Sequence, residues 1–185
     1  AYSFIRDNMM ADGRLFHSYR NGQPKHVGTL DDYACMIRAA CTLNEVTGKT
    51  SYLEEAEAWA AILDAHYWDK IDGGYFFTAD DAEALIVRNK SVSDHATPSG
   101  NGLMVSMLAQ LYFLTGNPNY RDRAEILITA FSGELNENFF PLAAFMNGVE
   151  RLQCGKQIVV VGNRNDKQTQ DLLHEVLGVS LPNRI

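Results

Sequence analysis

The sequence predicts a mainly α-helical chain of repeated helical hairpins, with an inner and an outer layer of helices. Three observations lead there. Some helical stretches are apolar on nearly every side while others are apolar on one side only, and the two kinds alternate along the chain. The alternation repeats: Tyr52 recurs as Tyr120, 68 positions on, and the same offset carries Thr29 to Thr97, Thr47-Gly48 to Thr115-Gly116, Ala56 to Ala124 and Leu63 to Phe131. Repeats of this kind cannot bury their faces alone and must stack. All-round apolar helices inside and one-sided helices outside describe a closed toroid better than an open solenoid, whose helices keep a second exposed face.

The elements follow in order. Residues 1–10 read as the end of a helix with Phe4, Ile5 and Met9 apolar, broken by Asp12-Gly13. Arg14–Arg20 and the following Asn21-Gly22 read as a short strand with a turn. Thr29 caps a helix whose acidic first turn, Asp31 and Asp32, suits the helix dipole; Tyr33, Met36, Ile37, Ala40 and Leu43 make it apolar on almost all sides. Thr47-Gly48 ends it. Tyr52, Ala56, Trp59, Ala60, Leu63 and Tyr67 mark an amphipathic outer helix. After Asp72-Gly73-Gly74, Tyr75–Thr78 pairs with Ala84–Arg88 as a hairpin.

The second repeat opens at Asp94-His95-Ala96-Thr97-Pro98-Ser99-Gly100-Asn101-Gly102, with Thr97 as cap and Pro98 at the first helical position. From Leu103 to Leu114 nearly every residue is apolar, so this helix is buried. Its amphipathic partner carries Tyr120, Ala124, Leu127, Ile128, Phe131 and Leu135. A helix over Phe139–Leu152 follows. Lys156–Gly162 then reads as a buried strand, a helix capped by Asp166 runs to about Leu177, and Leu181–Ile185 begins another strand, a small βαβ-like appendage.

Composition sets bounds on function. The chain has 185 residues, 46% of them hydrophobic, and a net charge of -7 without a local Lys/Arg cluster, which excludes a non-specific nucleic-acid role. The Leu103–Leu114 run is too short to span a membrane. Cys35, Cys41 and Cys154 show no metal-ligand or redox spacing; Cys35 and Cys41 read as buried inert thiols, and the set suits a reducing, cytoplasmic setting. No metal or cofactor motif stands out: Gly162-Asn163-Arg164-Asn165-Asp166 is not a dinucleotide fingerprint, and His17, His26, His66 and His174 are scattered.

With the repeat, Leu30-Asp31-Asp32-Tyr33-Ala34, Ala82–Arg88 and Ala96-Thr97-Pro98-Ser99-Gly100-Asn101 in view, the chain resembles the C-terminal region of thioredoxin-domain-containing proteins similar to spermatogenesis-associated protein 20. The resemblance runs over essentially the whole chain. It implies part of a six-hairpin, (α/α)6 toroid over residues 1–153, related to N-acylglucosamine 2-epimerases and six-hairpin glycosidases. Residues 154–185 then form the strand-helix appendage. It also implies that a thioredoxin-like domain and earlier hairpins lie outside this sequence, and function follows by analogy alone.

The repeat locates a candidate site. Thr29 and Thr97 are equivalent, so the loops before them emerge at one rim, where Asp31, Asp32, Asp94, His95, Ser99 and Asn101 are expected to converge. Paired carboxylates with a His are the equipment of glycoside hydrolysis or sugar epimerisation. Asp32, Asp94 and His95 are the acid–base candidates; Asp31, Tyr33, Ser99 and Asn101 are the ligand-binding candidates, with Tyr33 stacking on a sugar ring. The same residues also have a purely structural reading as caps and close-packing positions. Two functions therefore stand side by side: a carbohydrate-binding or carbohydrate-modifying toroid, and a non-catalytic helical scaffold supporting a redox domain. A sugar-type small molecule is the expected partner, nucleic acid and membrane are not, and self-association is expected through apolar toroid edges.

Overall fold

A computed structural model describes residues 1–83 and 86–185. Two Asx-Gly turns shape the start of the chain. After α1 (Tyr2–Asn8), the strands β1 (Met10–Ala11), β2 (Arg14–Arg20) and β3 (Gln23–Val27) form an antiparallel sheet in the order β1-β2-β3. Asp12-Gly13 and Asn21-Gly22 join them with positive φ at both residues, the left-handed conformation that matches the natural twist of a tight hairpin. The register pairs Phe16 with Val27 and Arg20 with Gln23.

Six further helices follow among the described residues: α2 (Leu30–Thr47), α3 (Thr50–His66), α4 (Gly100–Thr115), α5 (Pro118–Glu137), α6 (Ala143–Cys154) and α7 (Lys167–Gly178). The central α4 packs against α2 and α6 on either side and against α5 behind, while α3 backs α2. Thus α2 and α4 lie in an inner layer and α3 and α5 in an outer one, as the repeat predicts, and α6 joins the inner layer beside α4. The first turns of α2 and α4 touch, because the Gly100 N–H donates to Asp31 Oδ1 at 2.9 Å. The two helices therefore run parallel. The α6 N-terminus reaches the same rim, with Ala144 N–H donating to Asp94 Oδ2 at 2.8 Å.

Close approach at that rim depends on one residue without a side chain. A Cβ on Gly100 would fall 2.5 Å from both Asp31 Oδ1 and Leu30 Cγ. The core beneath is aromatic and aliphatic. Tyr33, Ile37, Leu63, Tyr67, Tyr75, Met104, Leu108, Leu127 and Phe145 are fully buried, and Tyr33 meets Tyr67 edge-on with centroids 5.5 Å apart. At the other end both inner helices of the repeat close on a left-handed glycine, Gly48 and Gly116, in matching register.

Four expectations are corrected. The cap of α4 is Ser99, not Thr97, and the helix starts at Gly100. The reason is local: Asp94 Oδ1 accepts the Ser99 N–H at 2.8 Å and His95 N–H bonds back to Thr97 O, which folds 94–98 into an arch outside the helix. Next, Tyr75–Thr78 is not a strand; it makes a bridge from Tyr75 to Trp68 and a backbone bond from Phe77 to Asn89, and residues 84–85 of the expected hairpin partner lie outside the described residues. Helix α6 begins at Ala143 rather than Phe139, since Pro141 disfavours a helical residue before it. Finally, 156–162 pairs only through an isolated parallel bridge between Lys156 and Arg184, with Val159 and Val161 exposed and no sheet to bury them. The α7 helix of that segment is present.

Candidate functional site

The rim where α2, α4 and α6 begin carries most of the sequence-predicted residues, yet it spends them on the backbone. Asp94 accepts Ser99 N–H with one carboxylate oxygen and Ala144 N–H with the other, tying two helix N-termini together. Ser99 is buried; its hydroxyl donates to Val92 O at 2.7 Å and accepts from Gly102 N–H at 3.2 Å. Asn101 is 1% exposed and clamps two loops: its Oδ1 accepts Tyr75 N–H, and its Nδ2 donates to Tyr75 O and Ser91 O, each at 2.9 Å.

Tyr33 is corrected outright as a ligand-stacking residue. It is 0% exposed, with its hydroxyl accepting Leu15 N–H at 2.9 Å and its ring against Tyr67. No sugar ring reaches it.

The two acidic neighbours diverge, as consecutive helical residues about 100° apart must. Asp31 faces the α2/α4 seam; burial raises its carboxyl pKa, the Gly100 N–H opposes the rise, and Asp32 adds to it. Asp32 turns toward the sheet. Its Oδ2 accepts Thr29 N–H at 2.7 Å and Thr29 Oγ–H at 2.8 Å, and lies 2.8 Å from His17 Nδ1. The expected convergence of Asp32 with Asp94 and His95 on one cavity is therefore absent.

His95 is the exception. It is exposed and lies on the wall between two cavities. The smaller, about 260 Å³, is lined by Asp31, Phe77, Ser91, Thr97 and Asn101 among others. The larger, about 510 Å³, lies on the axial side of the inner layer and includes Arg38, Asp94, Ser106, Asn147 and Arg151. It continues into a third cavity of about 480 Å³ that shares Arg38, Met107 and Arg151 and adds Thr42, Glu45 and Gln110. Together these form a trough along the inner helices.

Arg38, Thr42 and Glu45 of α2 line that trough, and Asp31 and Cys35 continue the same helical face as a polar stripe. Arg38, Gln110, Asn147 and Arg151 escape a reading guided by acid–base pairs. The signal for Arg38 was there, because the repeat maps it to Ser106 and Thr42 to Gln110. Cys35 lies on the stripe, exposed rather than buried, and partial burial with Asp31 and Asp32 nearby raises its thiol pKa. Cys41 is buried as expected, its thiol pushed up to about 12 by burial.

One cluster with metal-ligating groups lies elsewhere. His66 Nδ1 stands 2.9 Å from Asp80 and 3.5 Å from Asp81, but Asp81 is held by both guanidinium nitrogens of Arg14 at 2.7 and 3.1 Å. That cation already neutralises the carboxylate.

Comparison with known proteins follows the fold. No protein-family model matches the chain. Human spermatogenesis-associated protein 20 is 31% identical over 98% of this chain and 25% of its own length; the rat protein of the same name is 34% identical over 85% and 20%. The chain thus spans about a quarter or less of these relatives. Among solved structures, the cellobiose 2-epimerase of Spirochaeta thermophila is similar with a TM-score of 0.59 at 21% identity, over 74% of this chain and 36% of that one. A family 76 glycoside hydrolase from a bovine Bacteroides thetaiotaomicron strain gives 0.57 at 18%, over 70% and 28%. Both are (α/α)6 toroid enzymes, so the likeness shows the fold. The chain belongs to the family of proteins similar to spermatogenesis-associated protein 20, and its inner and outer helices are part of a six-hairpin, glycosidase-like toroid.

Proposed function

We propose that the axial trough is a carbohydrate-binding surface, with His95 as the group that exchanges protons with a bound sugar. The observation that carries this reading is the placement of His95: exposed, on an arch held at both feet by Asp94 and Ser99, and facing a cavity of about 510 Å³ that Ser106, Asn147 and Arg151 also line. Ser106 and Asn147 offer a hydroxyl and an amide for ring hydroxyls. Asp94 holds the arch and is a positioning residue; its oxygens are committed to amides. Asp32, paired with His17 away from the trough, serves the helix start. The fold neighbours act on sugars at the level their names state, cellobiose epimerisation in one case. A cytoplasmic location belongs to the same reading, in keeping with no described helix being long and apolar enough to cross a membrane.

The scaffold reading draws on a different observation. Exposed Phe139 and Phe140 sit beside the α6 start, an apolar surface suited to a neighbouring domain or a second copy. Amide NMR titration of the chain with cellobiose separates the two. Shifts confined to His95, Ser106 and Asn147, abolished in His95→Ala and Asn147→Ala proteins of unchanged melting temperature, are expected. Cellobiose that moves no resonance in the trough, or shifts that survive both substitutions, overturns the carbohydrate reading.

A further inference from the structure

Charge in the trough runs against the charge of the chain. The sequence carries -7 overall, with 23 acidic residues against 16 basic ones. Yet Arg38 and Arg151 both line the two joined axial cavities, and neither has an ion-pair partner among the described residues. The acids that line the trough are already engaged. Asp94 is saturated by two backbone amides, and Glu45 pairs with Arg184 at 2.7 Å.

Arg151 is set in place rather than free. Its Nη1 donates to Gln110 Oε1 at 2.8 Å, and Gln110 is itself 7% exposed on the inner helix α4. The remaining N–H groups of that fork have no partner among the described residues. Burial lowers the Arg151 pKa, Glu45 and Cys41 oppose the change, and Arg38 lowers it further. Two guanidinium groups on one wall, one of them half-buried, repel each other and carry a desolvation cost. An anion between them removes both penalties, and the planar forks match carboxylate and phosphate oxygens.

We infer that the axial trough binds a sugar bearing an anionic group, a carboxylate or a phosphate, with Arg38 and Arg151 holding the anion. His95, Ser106 and Asn147, on the same cavity wall, face the sugar's hydroxyls. This inference rests on the carbohydrate reading above and adds the charge of the substrate to it.

The test is calorimetric titration of the chain with glucose, glucuronate, a glucose phosphate ester and inorganic phosphate, repeated on Arg38→Gln and Arg151→Gln. Arg38 is exposed, so Arg38→Gln folds normally and its melting temperature checks this. At least one anionic sugar is expected to bind about tenfold or more tighter than glucose, and each Arg substitution is expected to remove about tenfold of that gain, the scale of a charge-assisted hydrogen bond. Equal affinities for glucose, glucuronate and the phosphate ester, unmoved by either substitution, overturn the anion assignment and leave the carbohydrate reading standing. Arg-dependent binding of inorganic phosphate with no added affinity from any sugar keeps the anion site and overturns the carbohydrate reading. Silence from all four compounds overturns both.

Discussion

Along α2, Cys35, Arg38 and Thr42 stand exposed, whereas their counterparts 68 positions on in α4 are covered: Leu103 and Gln110 are buried and Ser106 is half-buried. The two helices share register and cap chemistry at their C-termini, and each has its own outer partner, α3 behind α2 and α5 behind α4. What differs is the company. Helix α4 lies between α2 and α6, while α2 packs closely against α4 alone within the inner layer. Burial of an inner helix is thus set by its neighbours as much as by its own composition. The axial stripe is one set of positions read out twice, once as surface and once as interior.

The largest test of this comparison is a matched truncation. Leu103→Ala should cost about 2–4 kcal/mol, because the side chain is 7% exposed and the rigid inner layer closes poorly over the void. Cys35→Ala, at the equivalent position, should change stability by less than about 0.5 kcal/mol. Denaturant unfolding of the two variants gives the ratio directly. Similar losses at both positions break the comparison.

A smaller effect tests where the second repeat departs from the first. Thr29→Ala and Ser99→Ala should each cost about 1 kcal/mol, as losses at helix starts do, while Thr97→Ala should be silent. The reverse order for Ser99 and Thr97 would put the start of α4 back in strict register with α2. Thermal melts resolve a difference of this size.

The smallest effect is electrostatic. The folded-state pKa of Asp31 is raised, mainly by burial, so the ionised form is disfavoured in the native protein. The sign follows: this penalty is absent below both pKa values and grows as pH rises through the unfolded and then the folded value. Asp31→Asn keeps an acceptor for the Gly100 N–H and removes the charge. It should be at least as stable as the parent at neutral pH, with the advantage vanishing as pH falls below about 4, where a free aspartate carboxyl takes up its proton. A stability profile with the opposite slope would mean that the seam favours the carboxylate.

The layered helices were legible because they rest on patterns a sequence displays: all-round against one-sided apolar periodicity, repeated at constant spacing. The candidate site was legible in place but not in role. Asp94, Ser99 and Asn101 fall at the expected rim, yet their polar atoms answer to backbone groups of Val92, Tyr75, Ser91 and Ala144, partners set by tertiary folding. Asp31 and Asp32 share the first turn of α2, but adjacent helical residues point apart, so Asp31 meets Gly100 while Asp32 meets His17 instead of Asp94 and His95. Arg38 and Thr42 do carry a sequence signal, since the repeat sets them opposite the polar Ser106 and Gln110 of α4. Arg151 and Asn147 lie on α6, which has no second copy in the sequence to compare with. The strand expected at 156–162 failed for want of a sheet: a run of Ile and Val states a preference for burial, not a place for it.

The arch from His95 to Pro98 separates the wall of the cavities from the frame that holds the helices. Its feet are Asp94, which ties down α4 and α6, and Ser99, which caps α4, while all four residues between them are exposed. Replacements in those four positions leave the helix frame intact and alter the wall of two cavities at once. Substitutions in the arch therefore change what the two cavities can hold while the helix starts on either side keep their hydrogen bonds.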